Sequence, residues 1–178
     1  MGERAPQEQC SPAERRDAAG TASRLGRTRR ADPARLVSMP TAPAVLAVYG
    51  TLRRGERNDR FLAGCSSLGR ATVRGRLHEM PESALRGYAY PALLLGGSSP
   101  VVVELYAIPD VATLAATDAL ETFDPADEAG SQYVRRAVTV EDGPVASAWI
   151  YVYNGPADEV GERIVDGDWI AHLDRARR

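Results

Sequence analysis

The 178 residues are 44% apolar and 26% charged, enough for one domain with a real core, and the formal net charge is −2. All 22 basic residues are Arg, which removes Schiff-base and pyridoxal chemistry and the Lys-bearing phosphate loop; two Cys and two His cannot build a four-ligand zinc site. Residues 1–43 carry eight Arg against five acids (+3), so the remaining 14 Arg against 19 acids give −5, an acidic body that argues against nucleic acid as the main partner.

In chain order, residues 1–43 are rich in Ala, Arg, Pro and Gly without apolar periodicity and are expected to be a disordered tail, with Met39 an alternative start. The domain is expected over 44–178. A strand over Val45–Val48 runs into Tyr49-Gly50-Thr51-Leu52, where Gly frees the backbone and consecutive N–H groups form an anion cradle. Arg57–Leu62 reads as a short helix ended by Gly64. Further strands are expected over Ala71–Leu77, Val101–Tyr106, Tyr133–Val140 and Ala146–Tyr153, the last two joined by a turn at Glu141-Asp142-Gly143-Pro144. Asp110 caps a helix running through Phe123 and stopped by Asp124-Pro125; Gly167-Asp168-Trp169 opens a terminal helix. This pattern predicts an α+β fold, a small, mostly antiparallel β-barrel with a few flanking helices. No apolar run is long enough to span a membrane. Cys10 lies in the tail, so a structural disulfide is not expected and a reducing, cytoplasmic location fits.

Val111, Leu114, Asp118 and Glu121 recur at helical spacing and share one face. If Glu121 is desolvated there its pKa rises, which suits a general base near neutrality; periodicity equally allows Asp118 and Glu121 to face water. Tyr49, Tyr90 and Tyr133 read either as core or as substrate contacts, and Arg53 and Arg54 either as steering an anion or as a solvated loop.

Tyr49-Gly50-Thr51-Leu52-Arg53-Arg54-Gly55, then Asp118-Ala119-Leu120-Glu121, then Tyr133-Val134-Arg135-Arg136 resemble the gamma-glutamylcyclotransferase superfamily. The first block with Arg57-Asn58 looks most like its gamma-glutamylamine cyclotransferase-like branch. The likeness continues through Tyr90-Pro91-Ala92, Val103-Glu104-Leu105-Tyr106, Ala148-Trp149-Ile150-Tyr151 and Gly167-Asp168-Trp169, and so covers nearly all of 45–170 in order. Thr117 replaces a usually apolar residue, and Thr122 stands where Gly commonly follows the Glu. The resemblance implies Glu121 as catalytic acid/base and Tyr49, Gly50, Thr51, Leu52, Arg53 and Tyr133 as substrate-binding, without metal or cofactor. It implies that a small gamma-glutamyl compound closes on itself to release 5-oxoproline and a free amine, in a monomer or homodimer. A non-catalytic module binding a small anion on the same scaffold is the alternative.

Overall fold

The computed structural model describes residues 44–82 and 86–178, so the expectation for the tail over 1–43 lies outside the described residues. The sequence Ala-Val-Leu-Ala-Val forms β1 (Ala44–Val48), whose unbroken apolar run marks it as a strand enclosed on both faces. It lies at the middle of a five-stranded sheet. Antiparallel to it runs β3 (Tyr90–Ile108), with Leu46 opposite Tyr106, and parallel to it runs β5 (Ser147–Tyr153), with Leu46 opposite Trp149. Outside β3 is β2 (Ser66–Met80); outside β5 is β4 (Tyr133–Thr139), and both outer pairings are antiparallel. The order is thus β2-β3-β1-β5-β4.

The α+β class holds, but the sheet does not close into a continuous barrel. Its two edge strands are linked through a single bridge just past β4, where Thr72 and Glu141 exchange backbone hydrogen bonds of 2.9 and 2.7 Å. The side chains of Leu46, Val73, Leu93, Val101, Val103, Leu105 and Ile150 fill the core beneath the sheet.

β2 and β3 are longer than expected. The stretch Gly96-Gly97-Ser98-Ser99-Pro100 reads as a breaker, yet it lies within β3. The register shift there moves the partner from Ser99 (of Gly75) to Leu94 (of Arg76), so the turn-forming residues are carried as a bulge. Between β4 and β5 the expected turn is present, closed by Val140 N–H donating to Ala146 C=O at 3.0 Å. Asp59–Leu62 forms only a 3₁₀ turn.

The helix α1 (Val111–Leu120) starts as expected, with the Asp110 carboxylate accepting from the Thr113 N–H at 2.7 Å. It stops earlier than expected. Thr122 takes φ 55°, the Thr122 N–H donates to Ala119 C=O at 3.3 Å and the Phe123 N–H to Asp118 C=O at 2.9 Å. This is the Schellman closure, with Thr where Gly is usual. Glu121 is therefore the residue that caps α1 rather than one inside it. Val111 is 70% exposed and takes no part in the buried face. At the other end of the domain, α2 (Trp169–Ala176) is capped by Asp168, which accepts from Ile170 N–H at 3.1 Å. Among the described residues no helix is long and apolar enough to cross a membrane.

Candidate active site

The end of β1, the start of β3, the cap of α1 and the paired strands β4 and β5 converge on one small, partly open cavity. It is lined by Tyr49, Gly50, Thr51, Leu52 and Glu121, with Arg86, Tyr90, Pro91, Tyr133 and Tyr151 completing the wall. The space open to the centre of a water molecule is about 20 Å³, room for roughly one water.

Six of the seven residues expected at a site meet here: Tyr49, Gly50, Thr51 and Leu52 on one loop, Glu121 at the helix cap, and Tyr133 from β4. Gly50 serves through space rather than through an unusual backbone angle. A Cβ built on it would overlap the Pro91 ring, approaching Cδ to 2.9 Å, so the loop after β1 lies against the start of β3 only because this residue has no side chain. The loop after it is held by Arg53 N–H to Gly50 C=O (3.0 Å), Asn58 N–H to Thr51 C=O (2.9 Å) and Asn58 Nδ2 to the Thr51 hydroxyl (3.0 Å). Among the described residues neither the Thr51 nor the Leu52 N–H donates to a protein acceptor. Two backbone donors at the cavity wall are the elements of an anion cradle.

The Glu121 side chain is 12% exposed. Burial pushes its carboxyl up from 4.5 to about 7, and the Arg86 guanidinium, 3.7 Å away, holds it from rising further. The Tyr49 and Tyr133 hydroxyls are driven well above the ordinary tyrosine range, chiefly by burial; proximity to Glu121 adds to both, and proximity to Tyr49 also adds to Tyr133. Tyr49 donates to Tyr151 C=O at 2.9 Å and Tyr133 to Pro91 C=O at 3.1 Å, so both rings are fixed cavity walls with satisfied hydroxyls.

Arg53 is placed otherwise than expected. Its side chain is 0% exposed, it does not line the cavity, and it is held in an internal network through Nε and Nη1, while Nη2 is buried without a hydrogen-bond partner among the described residues. Nε lies 3.3 Å from Glu104 and Nη1 2.6 Å from Asp168. The second Glu104 oxygen accepts from the Arg54 N–H (2.9 Å) and the Tyr106 hydroxyl (3.0 Å). Arg53 thus pins the cradle loop to β3 and to the cap of α2. The physical reason is that an Arg on this short loop finds two carboxylates directly beneath it, and a buried charge is kept only when so paired.

Asp118 is likewise engaged with side chains rather than backbone. It accepts from Arg135 Nη1 at 2.7 and 2.8 Å and from the Tyr151 hydroxyl at 2.5 Å, and Tyr151 in turn shares a 2.9 Å bond with the Thr117 hydroxyl. Thr117 is fully buried, and its one hydroxyl proton is within reach of both the Tyr151 oxygen and Leu114 C=O. Burial and the Asp118 carboxylate raise the Tyr151 hydroxyl above its ordinary value.

Arg86 had no signal in the sequence. It stands in a Pro- and Gly-flanked loop, at no periodic spacing from Glu121. Its Nη2 donates to Leu120 C=O at 3.0 Å and to Gln132 Oε1 at 3.4 Å, and its guanidinium lies 4.7 Å from the Tyr90 ring and 5.8 Å from the Tyr133 ring. Beyond it opens a wider groove of about 760 Å³ by the same measure, with Tyr88, Thr122, Gln132, Tyr153 and Glu159 among its walls. Among the described residues no group of three His, Cys, Asp or Glu is arranged to hold a metal.

A mixed sheet with a glycine-bearing loop at one strand end and a buried carboxylate at a helix cap defines an α+β protein whose cavity lies between them. Residues 46–171 match the family described as gamma-glutamyl cyclotransferase, AIG2-like, and the chain belongs to that family. The Escherichia coli gamma-glutamylcyclotransferase family protein YtfP is 33% identical over 124 residues, 69% of this chain and 93% of that protein. The gamma-L-glutamyl-butirosin B gamma-glutamyl cyclotransferase of Niallia circulans is 34% identical over 111 residues, 61% of this chain and 66% of that one. Among solved structures, that of E. coli YtfP superposes with a TM-score of 0.50 at 32% identity, covering 74% of this chain and 98% of that chain. A Pyrococcus horikoshii protein shares the fold with a TM-score of 0.55 at 21% identity, covering 76% and 98%.

Proposed function

We propose that the protein is a gamma-glutamylcyclotransferase that converts a gamma-glutamyl amide to 5-oxoproline and a free amine, with Glu121 as general acid and base. The single observation that carries the reading is the buried Glu121 carboxylate, pushed to about 7, in the same cavity as the Tyr49–Leu52 loop. The Thr51 and Leu52 N–H groups receive the α-carboxylate of the glutamyl head. Glu121 takes a proton from the α-ammonium, and the freed amine attacks the γ-carbonyl carbon. The cavity walls hold the chain folded in near-attack geometry, which is the main catalytic requirement of an intramolecular reaction. Glu121 then returns the proton to the leaving nitrogen. No enzyme nucleophile is needed. A glutamyl head is larger than the 20 Å³ of open space, so binding widens the cavity toward the adjoining groove.

The test is incubation of the protein with a panel of gamma-glutamyl alkylamides and gamma-glutamyl dipeptides, with 5-oxoproline followed by mass spectrometry. Catalytic formation of 5-oxoproline from at least one member is expected, and the preferred leaving group identifies the substrate class. Binding without turnover across the panel would leave the small-anion-binding module in its place.

A further inference from the structure

The cyclisation passes through an intermediate in which the γ-carbonyl oxygen carries a full negative charge, and neither the cradle nor Glu121 stabilises that oxygen. The cradle donors hold the α-carboxylate, and the proton that Glu121 takes up is committed to the leaving nitrogen. The scissile amide must lie where the glutamyl head ends and the leaving amine begins, at the junction of the cavity with the adjoining groove. Among the described residues one side chain alone lines both spaces, Arg86. Among the described residues it is also the only basic one on the cavity wall. Its guanidinium is 3.7 Å from Glu121, so a carbon undergoing attack by an amine held at Glu121 sits beside the cation as well. The Tyr90 and Tyr133 rings and the Leu120 carbonyl keep the guanidinium in place, which is the preorganisation that makes an oxyanion donor effective.

Resting on the cyclotransferase reading above, we propose that Arg86 is a catalytic residue that binds the γ-carbonyl oxygen and stabilises the oxyanion formed on ring closure. The steps balance as follows. Glu121 removes one proton from the α-ammonium. The amine lone pair forms the new N–C bond while the C=O π pair moves onto oxygen, where the Arg86 cation meets it. The oxygen lone pair then re-forms C=O, the bond to the leaving nitrogen breaks, and Glu121 protonates that nitrogen. The ring nitrogen sheds its second proton through Glu121 to the departing amine. The products are a neutral lactam and an ammonium ion, with Glu121 restored as carboxylate.

The experiment uses the full chain and the gamma-glutamyl alkylamide it turns over best. Arg86→Ala is expected to lower kcat about 100-fold or more, the scale of removing one oxyanion donor, with KM changed less than about threefold. Guanidinium chloride at tens of millimolar should restore at least a tenth of the lost rate, while sodium chloride at equal ionic strength should not. A residue that only supports the fold would give no such rescue. Arg86→Gln is measured alongside, because its amide preserves packing against the tyrosine rings if the Ala variant fails to fold. A folded Arg86→Gln with kcat within threefold of the wild type, or an Ala variant that is folded yet not rescued, overturns the proposal and leaves the cyclotransferase reading intact. Absence of wild-type turnover across the whole panel overturns both.

Discussion

Replacing Glu121 by Gln keeps the shape of the side chain and its capacity to accept from Arg86, and removes only the proton-accepting charge. With the carboxyl at about 7, half of the molecules carry the base at neutrality, and about nine in ten do at pH 8. The kcat/KM of the wild type on a gamma-glutamyl amide should therefore rise through an acid limb centred near pH 7, and the Gln variant should lose the limb together with about 10²–10⁴ of the rate. A second magnitude follows from the same burial. The folded protein keeps this proton up to about pH 7 whereas the unfolded chain releases it near 4.5, so between those values the folded state binds more protons and stability falls as pH rises. The gap is worth about 3 kcal/mol, which the Gln variant never loses. Relative to the wild type, the variant's Tm should climb by roughly 10 °C between pH 4 and pH 8, given the usual response of a domain this size. Calorimetry at the two pH values and a pH–rate series on both proteins make the assay. Full turnover by Glu121→Gln, or a Tm difference that does not move with pH, would refute the reasoning.

Three other substitutions have expected outcomes. Thr122→Gly should raise Tm by about 3–6 °C, because φ 55° costs a β-branched residue about 1–2 kcal/mol that Gly avoids; a fall in Tm measured by differential scanning fluorimetry would contradict this. Arg53→Met should cost about 3–5 kcal/mol by stranding Glu104 and Asp168 without their shared cation, readable as a lowered urea midpoint, whereas a loss of substrate affinity at unchanged stability would return Arg53 to the binding site. Gly50→Ala must push against the Pro91 ring, and calorimetric titration with 5-oxoproline should show affinity reduced at least tenfold; binding equal to the wild type would remove Gly50 from the site.

Which parts of this were legible beforehand follows from how local each cause is. The cap at Asp110, the turn at 141–144 and the strand feeding the cradle are set by neighbours in sequence, and each stands where its residues direct. Glu121 was ambiguous from periodicity because its burial comes from Tyr49, Tyr133 and Arg86, none of which belongs to its helix. The place of Arg53 was hidden for the same reason. Its carboxylate partners are 51 and 115 residues away, and an Arg in a polar loop carries no mark of them. At Gly50 the sequence offered backbone freedom as the reason for a glycine, whereas what forbids a side chain is the ring of Pro91 on the neighbouring strand. Arg86 was invisible, being defined only by the two spaces it separates.

The parallel pairing of β1 with β5 bears on how the cavity comes to be assembled. Leu46 and Ala47 must find Trp149 and Ile150, about a hundred residues later, with the remaining strands threaded between them in sequence. During synthesis β1 can pair with β3 on one side, but its other edge stays uncovered until the last strand leaves the ribosome. High contact order of this kind slows folding and lengthens exposure of an apolar strand edge to other chains. It also makes assembly of the cavity an all-or-none event. Tyr49, Glu121 and Tyr151 come from three successive portions of the chain, so no nascent fragment holds the whole cavity wall, and truncation before β5 should yield material that aggregates rather than a domain with a partial cavity.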